Sequence, residues 1–169
     1  MRVAIFGDIH GNLEALEAVL ADAASQGVDR HACLGDAVGY GAEPKACIRT
    51  VQELDCPVVK GNHDEDASLT GELYGRSRLA QAAMFWTREE LDADEKRWLE
   101  DLPMKVRLDA FTMVHASLDV PETWTYVFSG NQAASSFSFQ ETPVCFIGHT
   151  HTPITYVRDN ESGELSIEP

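Results

Sequence analysis

Three short apolar runs in the first third of the chain each end in glycine followed by a polar side chain. They are Ile5-Phe6-Gly7-Asp8, Cys33-Leu34-Gly35-Asp36 and Val58-Val59-Lys60-Gly61-Asn62. Runs this short, bounded by Gly, read as buried strands over Arg2–Asp8, His31–Asp36 and Pro57–Asp64. The segments between them carry helical spacing. Leu13, Leu16, Val19, Leu20 and Ala23 fall on one face, with Asn12 at the N-cap and Gly27 just past the end. A second helix starts at Pro44, a residue suited to a first turn. Strand, helix, strand, helix, strand predicts a parallel sheet with right-handed crossovers.

The middle of the chain changes pattern. Arg76–Leu91 and Ala93–Leu102 read as amphipathic helices with no strand between them, giving a helical layer at about 66–102. Phe85, Trp86 and Trp98 in this layer are read as core packing rather than a base-stacking platform. Strands resume at Lys105–Asp109 and Phe111–Ser117, joined as a hairpin at Asp109-Ala110. A polar helix is expected over Asn131–Gln140, then a strand through Val144–Ile147. A terminal hairpin turns at Asn160–Gly163.

The 169 residues suffice for one domain with its own core, and 44% of them are apolar. A net charge of −15, spread along the chain, speaks against a non-specific binder of nucleic acid or anionic membrane. No stretch approaches the roughly 18 apolar residues of a membrane span, and the N-terminus lacks a leader's apolar run and cleavage site. Cys33, Cys47, Cys56 and Cys145 form no CxxC pair and are expected as reduced thiols of a cytoplasmic protein.

The chemistry gathers at the strand ends. Asp8 and His10, Asp36, Asn62 and His63, His115, and His149 with His151 each follow a predicted strand, and ligands of open α/β sheets bind at carboxyl ends. Spacing of i and i+2 in an extended segment would turn Asp8 and His10, and again His149 and His151, to a common face. Asp8, His10, Asp36, Asn62, His115, His149 and His151 offer oxygen and nitrogen donors without thiolate. Seven such donors exceed what one catalytic ion takes. They suit two divalent transition-metal ions sharing a carboxylate, manganese first, with Fe, Ni, Co or Zn as alternatives. Calcium prefers all-oxygen shells.

The ordered set D-x-H, G-D, G-N-H-D, H and G-H-x-H, from Asp8 to His151, resembles the calcineurin-like metallophosphoesterase superfamily. Its local wording, GDAVGYGAEP and VHASLDVPETW, is similar to the small bacterial phosphodiesterase-like branch. The resemblance implies a four-layer α/β/β/α sandwich of two mixed sheets flanked by helices, within a single domain over residues 1–169. It implies that Asp8, His10, Asp36 and His151 hold one ion. Asp36, Asn62, His115 and His149 would hold the other, with Asp36 bridging and a hydroxide between the ions as the attacking group. Asn62 and His63 would meet the substrate, His63 serving as general acid or stabiliser at the leaving oxygen.

Three departures shape the expectation. Phosphomonoesterase branches continue the second motif as G-D-x-x-D-R-G, but Gly39 and Tyr40 stand at the Asp and Arg positions. With no arginine there for a dianionic phosphate, the reading favours phosphodiesters, such as a small nucleotide, over monoesters. It also leaves open what orients His63. Ala116 replaces the usual glycine after His115, tolerable unless that position needs a positive φ. Relatives of the branch continue beyond the position of Pro169, so the C-terminal part of the second sheet is expected to be incomplete, with three explanations open: a truncated sequence, a naturally short member, or a homodimer that completes the sheet and covers its edge. A non-catalytic scaffold of the same fold and a phosphomonoesterase are the alternative functions.

Overall fold

The computed structural model describes residues 1–73 and 75–168. β1 (Val3–Phe6) leads through α1 (Leu13–Ser25) to β2 (Arg30–Cys33), which pairs with β1 in parallel, Val3 opposite Arg30 and Phe6 opposite Cys33. α1 is capped as its sequence demands: the Asn12 side chain accepts the Ala15 N–H at 3.0 Å, and Gly27 turns out with φ +66°. α2 (Pro44–Glu53) begins on its proline.

The strands are shorter than their apolar runs. β1 stops at Phe6 because Asp8 takes φ +50°, and β2 stops at Cys33 because Gly35 and Asp36 take φ +87° and +52°. Left-handed backbone cannot continue a ladder. The expected third strand, Pro57–Asp64, is a single parallel bridge, Val58 beside Cys33. It ends early because Asn62 already opens α3 (Asn62–Ser68). There Asp64, in the first turn, accepts the Gly61 N–H at 3.0 Å and starts a helix where the strand was read.

α4 (Arg78–Glu90) and α5 (Ala93–Asp101) follow, starting on the side chains of Ser77 and Asp92. Trp98 packs against the core as expected, but Phe85 and Trp86 stay 45% and 38% exposed. α4 buries Ala80, Met84 and Thr87, and positions 85 and 86 lie off that stripe. β3 (Lys105–Arg107) and β4 (Phe111–Val114) form the antiparallel hairpin, and β5 (Val144–Phe146) joins β4 in parallel. A 3₁₀ turn (Pro121–Thr123) and α6 (Gly130–Phe137) lie between β4 and β5. β6 (Thr155–Arg158) and β7 (Leu165–Glu168) close the chain as an antiparallel hairpin.

Period-two alternation divides the core into two faces. Val3, Ile5, Ala32, Leu34 and Val59 meet Phe111, Met113, Val106 and Phe146 of the β3–β4–β5 sheet. Phe6, Cys33 and Val58 point the other way, onto Leu16, Ile48, Val51 and Leu99 of the helices. The parallel strands β1, β2, β4 and β5 therefore release the chain at their carboxyl ends into the loops that carry the polar motifs. All four cysteines are free, Cys33 and Cys47 fully buried. Among the described residues no helix is long and apolar enough to cross a membrane.

Candidate metal centre

The loops after the strands bring the sequence-predicted residues together in overlapping sets. Asp8, His10 and His151 present donor atoms within 4.8 Å of one another, and so do Asp36, His115 and His149. A third set, His10, Asp36 and His63, links them. Asp36 Oδ2 stands between the groups, 3.3 Å from His115 Nε2 and 3.8 Å from His10 Nε2. Asn62 adjoins His149. All of these side chains except Asp8, which is half-buried, and His151, which is exposed, are buried.

The convergence comes from turns, not from extended strands. Asp8, His10, Asp36, His149 and His151 all have φ between +50° and +67°, a conformation that costs side-chain-bearing residues energy and concentrates where function demands it. The common-face expectation for His149 and His151 therefore fails. The left-handed backbone sends His151 to Asp8 and His10, and His149 to Asn62 and Tyr126. Backbone bonds fix these loops: Asp8 N–H donates to Gly35 O at 2.9 Å, His10 N–H to Asp36 O at 2.9 Å, and His149 N–H to the Asp8 carboxylate at 3.1 Å. Gly61 permits the closest approach, since a Cβ there would fall 2.0 Å from Asp36 Oδ1. Ala116 does not have a positive φ, so its methyl is accommodated.

The ring nitrogens fit metal ions. His10 Nδ1 bonds Val38 O at 3.2 Å, His115 Nδ1 bonds Leu34 O at 2.7 Å and His149 Nε2 bonds Trp124 O at 2.9 Å. Each outer nitrogen donates to a carbonyl, which turns the other nitrogen's lone pair inward, the arrangement that orients metal-bound histidines. His10 Nε2 then faces His151 Nε2 at 3.1 Å, and His151 Nε2 faces Asp8 Oδ1 at 3.1 Å. At His115, burial opposes protonation, yet the Asp36 carboxylate overrides it and raises the pKa to about 9. A proton there occupies the position between lone pairs that a cation would take. Burial lowers His10 and brings His149 to about 4, keeping both rings neutral and able to ligate.

His63 lies against the same cluster, its ring centroid 4.7 Å from that of His10 and 4.6 Å from that of Tyr40. Burial brings its pKa down to about 4, and its Nδ1 has no hydrogen-bond partner among the described residues. Asp64 does not supply one. Its carboxylate accepts the N–H groups of Asp36 at 2.7 Å, Ala37 at 2.9 Å and Gly61 at 3.0 Å, which ties the α3 start to the Asp36 loop. The atom nearest a Cβ built on Gly39 is His63 Nδ1, at 2.3 Å, so position 39 is where a partner for His63 would stand.

Two features escaped the sequence. Arg76, from the segment between α3 and α4, reaches Asn62. With the Asn62 amide nitrogen donating to His149 Nδ1 at 2.9 Å, its oxygen accepts from Arg76 Nη2 at 2.7 Å and Nη1 at 3.0 Å. To ligate an ion through oxygen, Asn62 would turn this amide over. Arg76 is also held by Asp66, through Nε at 2.9 Å and Nη2 at 2.7 Å. Tyr126 stacks on His149, centroids 3.9 Å apart and 17° from parallel. Arg76 sits beside no recognisable motif, and Tyr126 lies two residues past the VHASLDVPETW stretch. The i, i+2 spacing of Trp124, Tyr126 and Phe128 was the available signal.

Comparison with known proteins agrees with this geometry. An uncharacterised protein of Methanocaldococcus jannaschii is 33% identical over 167 residues, covering 96% of this chain and 66% of its own length. The crystal structure of a metallophosphoesterase from Sphaerobacter thermophilus superposes with a TM-score of 0.81 at 41% identity, over 95% of this chain and 64% of that one. A structure described as a candidate diadenosine tetraphosphatase matches at 29% identity and a TM-score of 0.55, over 70% of this chain and 51% of that one. This chain thus spans about two thirds of the length of the first two. The profile of the calcineurin-like phosphoesterase superfamily domain matches residues 1–169, and the chain belongs to that superfamily.

Proposed function

We propose that residues 1–169 act as one catalytic domain that hydrolyses phosphodiesters with two divalent ions, manganese foremost. The observation that carries the reading is the place of Asp36, whose carboxylate lies between His10 and His115 and shares one donor set with His10 and His63 and another with His115 and His149. Asp8, His10, Asp36 and His151 would hold one ion, and Asp36, Asn62, His115 and His149 the other. Such a pair, when bound, activates a water and neutralises the phosphoryl oxygens of an in-line displacement. The protein's own part is to aim the imidazoles of His10, His115 and His149 through the carbonyls of Val38, Leu34 and Trp124, and to hold His63, a neutral ring, at the leaving oxygen as a hydrogen-bond donor.

The preference for diesters rests on charge. Gly39 and Tyr40 bring no cation to the second motif, and the guanidinium of Arg76 is already paired with Asp66 at 2.7 Å. A singly charged diester asks less of the site than a dianionic monoester. The candidate diadenosine tetraphosphatase among the structural relatives favours a nucleotide substrate. Four free cysteines fit a cytoplasmic setting.

The test is turnover of bis-p-nitrophenyl phosphate beside p-nitrophenyl phosphate by manganese-loaded protein, with Asp36→Asn as control. We expect diester hydrolysis that falls by roughly 100-fold or more in Asp36→Asn, together with lost metal. No turnover of either ester with two ions bound would favour the scaffold alternative. A marked preference for the monoester would reverse the diester reading.

A further inference from the structure

Beside the metal groups stands a surface the proposed hydrolysis does not use. Residues 124–128, Trp-Thr-Tyr-Val-Phe, alternate sides: Val127 is buried, at 3% exposure, while Tyr126 and Phe128 are 45% and 52% exposed. The rings form a ladder that starts at His149. Tyr126 lies 17° from parallel to the imidazole at 3.9 Å, and Phe128 lies 11° from parallel to Tyr126 at 5.2 Å. We propose that this ladder seats the base of a nucleoside phosphodiester whose phosphate lies over the metal groups. The proposal rests on the phosphoesterase reading above and names its substrate class.

The ladder is held as a fixed element. The Trp124 indole N–H donates to Glu65 Oε2 at 3.1 Å on α3, and its carbonyl accepts from His149. Trp124 itself sits at φ +54°, which turns the chain out of the 3₁₀ turn and towards the centre. At the other end the Phe128 N–H donates to Gln132 Oε1 at 2.9 Å, and Ser129 caps α6. Both ends of the five-residue segment are therefore pinned, so its rings face solvent in a set orientation. Tyr126 is stacked on one side by His149 and on the other by Phe128, so the exposed outer face of Phe128 is the one left to match the flat π-surface of a base, which stacks without regard to sequence. Stacking also suits a chain of net charge −15, because it adds affinity without any further cation. His63 and Tyr40 lie beside His10, in the group that does not contain His149. The ladder therefore adjoins one donor group and the proposed leaving-oxygen residue the other.

Zinc-loaded protein, diamagnetic so that ligand resonances stay sharp, titrated with AMP and, separately, with ribose 5-phosphate tests the proposal, because the two differ in the base alone. AMP should bind roughly 5- to 100-fold more tightly, and its adenine H2 and H8 resonances should move upfield. Phe128→Ala should remove most of that difference and the upfield shifts while leaving ribose 5-phosphate binding unchanged; Phe128→Trp should restore both. Phe128 is exposed, so neither change threatens the fold. Equal affinities, no ring-current shift, or a Phe128→Ala loss shared by both ligands would overturn the ladder as a base seat. So would failure of both ligands to bind. Such failures leave the phosphoesterase reading intact if bis-p-nitrophenyl phosphate is still cleaved, and that reading fails separately if it is not.

Discussion

Gly39 does for His63 what no side chain could do in its place. Its φ of +94° is open to glycine, and a methyl group there would meet the imidazole Nδ1 at 2.3 Å. Gly39→Ala should therefore push His63 aside without touching any of the seven donors. We expect kcat on a diester to drop by roughly 10- to 100-fold, the scale of a 1 Å misplacement, with two ions per chain retained. Loss of metal alongside activity would show that position 39 supports the whole centre instead of His63. At this scale the sequence was highly informative. Asp8, His10, Asp36, Asn62, His63, His115, His149 and His151 all stood next to glycine or at a strand end, and all meet at the centre. Spacing alone could not convey direction, although the resemblance had already assigned His149 and His151 to different ions. The i, i+2 rule assumes extended backbone, and the φ of +67° and +52° at His149 and His151 sends neighbouring rings to different donor groups. Arg76 and Tyr126 were illegible for another reason: each arrives from a segment whose only link to the site is the fold.

Among the elements, α3 governs how the second motif is presented. A helix of seven residues has little intrinsic stability, and its start is held by Asp64, whose carboxylate gathers three buried N–H groups from Asp36, Ala37 and Gly61. Burial and the adjacent Asp36 charge push the Asp64 pKa up to about 7, and the backbone donors pull the other way. Asp64→Ala should leave these donors unpaired in a dry environment. At about 1–3 kcal/mol for an unsatisfied buried group, a loss of at least about 2 kcal/mol is expected by urea denaturation, with weaker metal binding because the Asp36 loop loses its anchor. A stability change within about 0.5 kcal/mol would mean that water replaces the carboxylate. This helix is also where sequence reading erred. Val58 and Val59 look like the start of a strand, and only the Asp64 cap shows that Gly61 ends it. α1 and α2 were legible because end signals and spacing agreed, and α4 and α5 from their amphipathic spacing alone, whereas Phe85 and Trp86 were misjudged because they were not placed against the α4 stripe.

For the whole molecule, the stabilising face-to-face core and the electrostatically costly centre are built from the same strands. Val3, Ile5, Ala32 and Leu34 pack against Phe111 and Met113, and a few residues further along the same strands Asp8, Asp36 and His115 converge. The alternation that makes this core could be read in the sequence. Which strands face each other could not, because that pairing is decided by packing between segments some 80 residues apart, such as Leu34 O with His115 Nδ1. The consequence is a linkage between ions and folding. In a chain of net charge −15, with carboxylates and inward lone pairs at one rim, cations that bind only the assembled site stabilise the fold by mass action. At 100 times its dissociation constant each ion contributes about 2.7 kcal/mol, which for a domain of this size raises Tm by about 5–11 °C per site. Calorimetry of chelated protein with and without manganese should show that rise, and His151→Ala and His149→Ala should each forfeit about one site's share. If the chelated and loaded proteins melted together, the converging residues would not be acting as a metal centre, and the dinuclear reading would have to be abandoned. If both histidine variants lost the whole increment, the two groups would be one cooperative site, since Asp36 touches both His10 and His115 and can transmit the loss of either ion to the other.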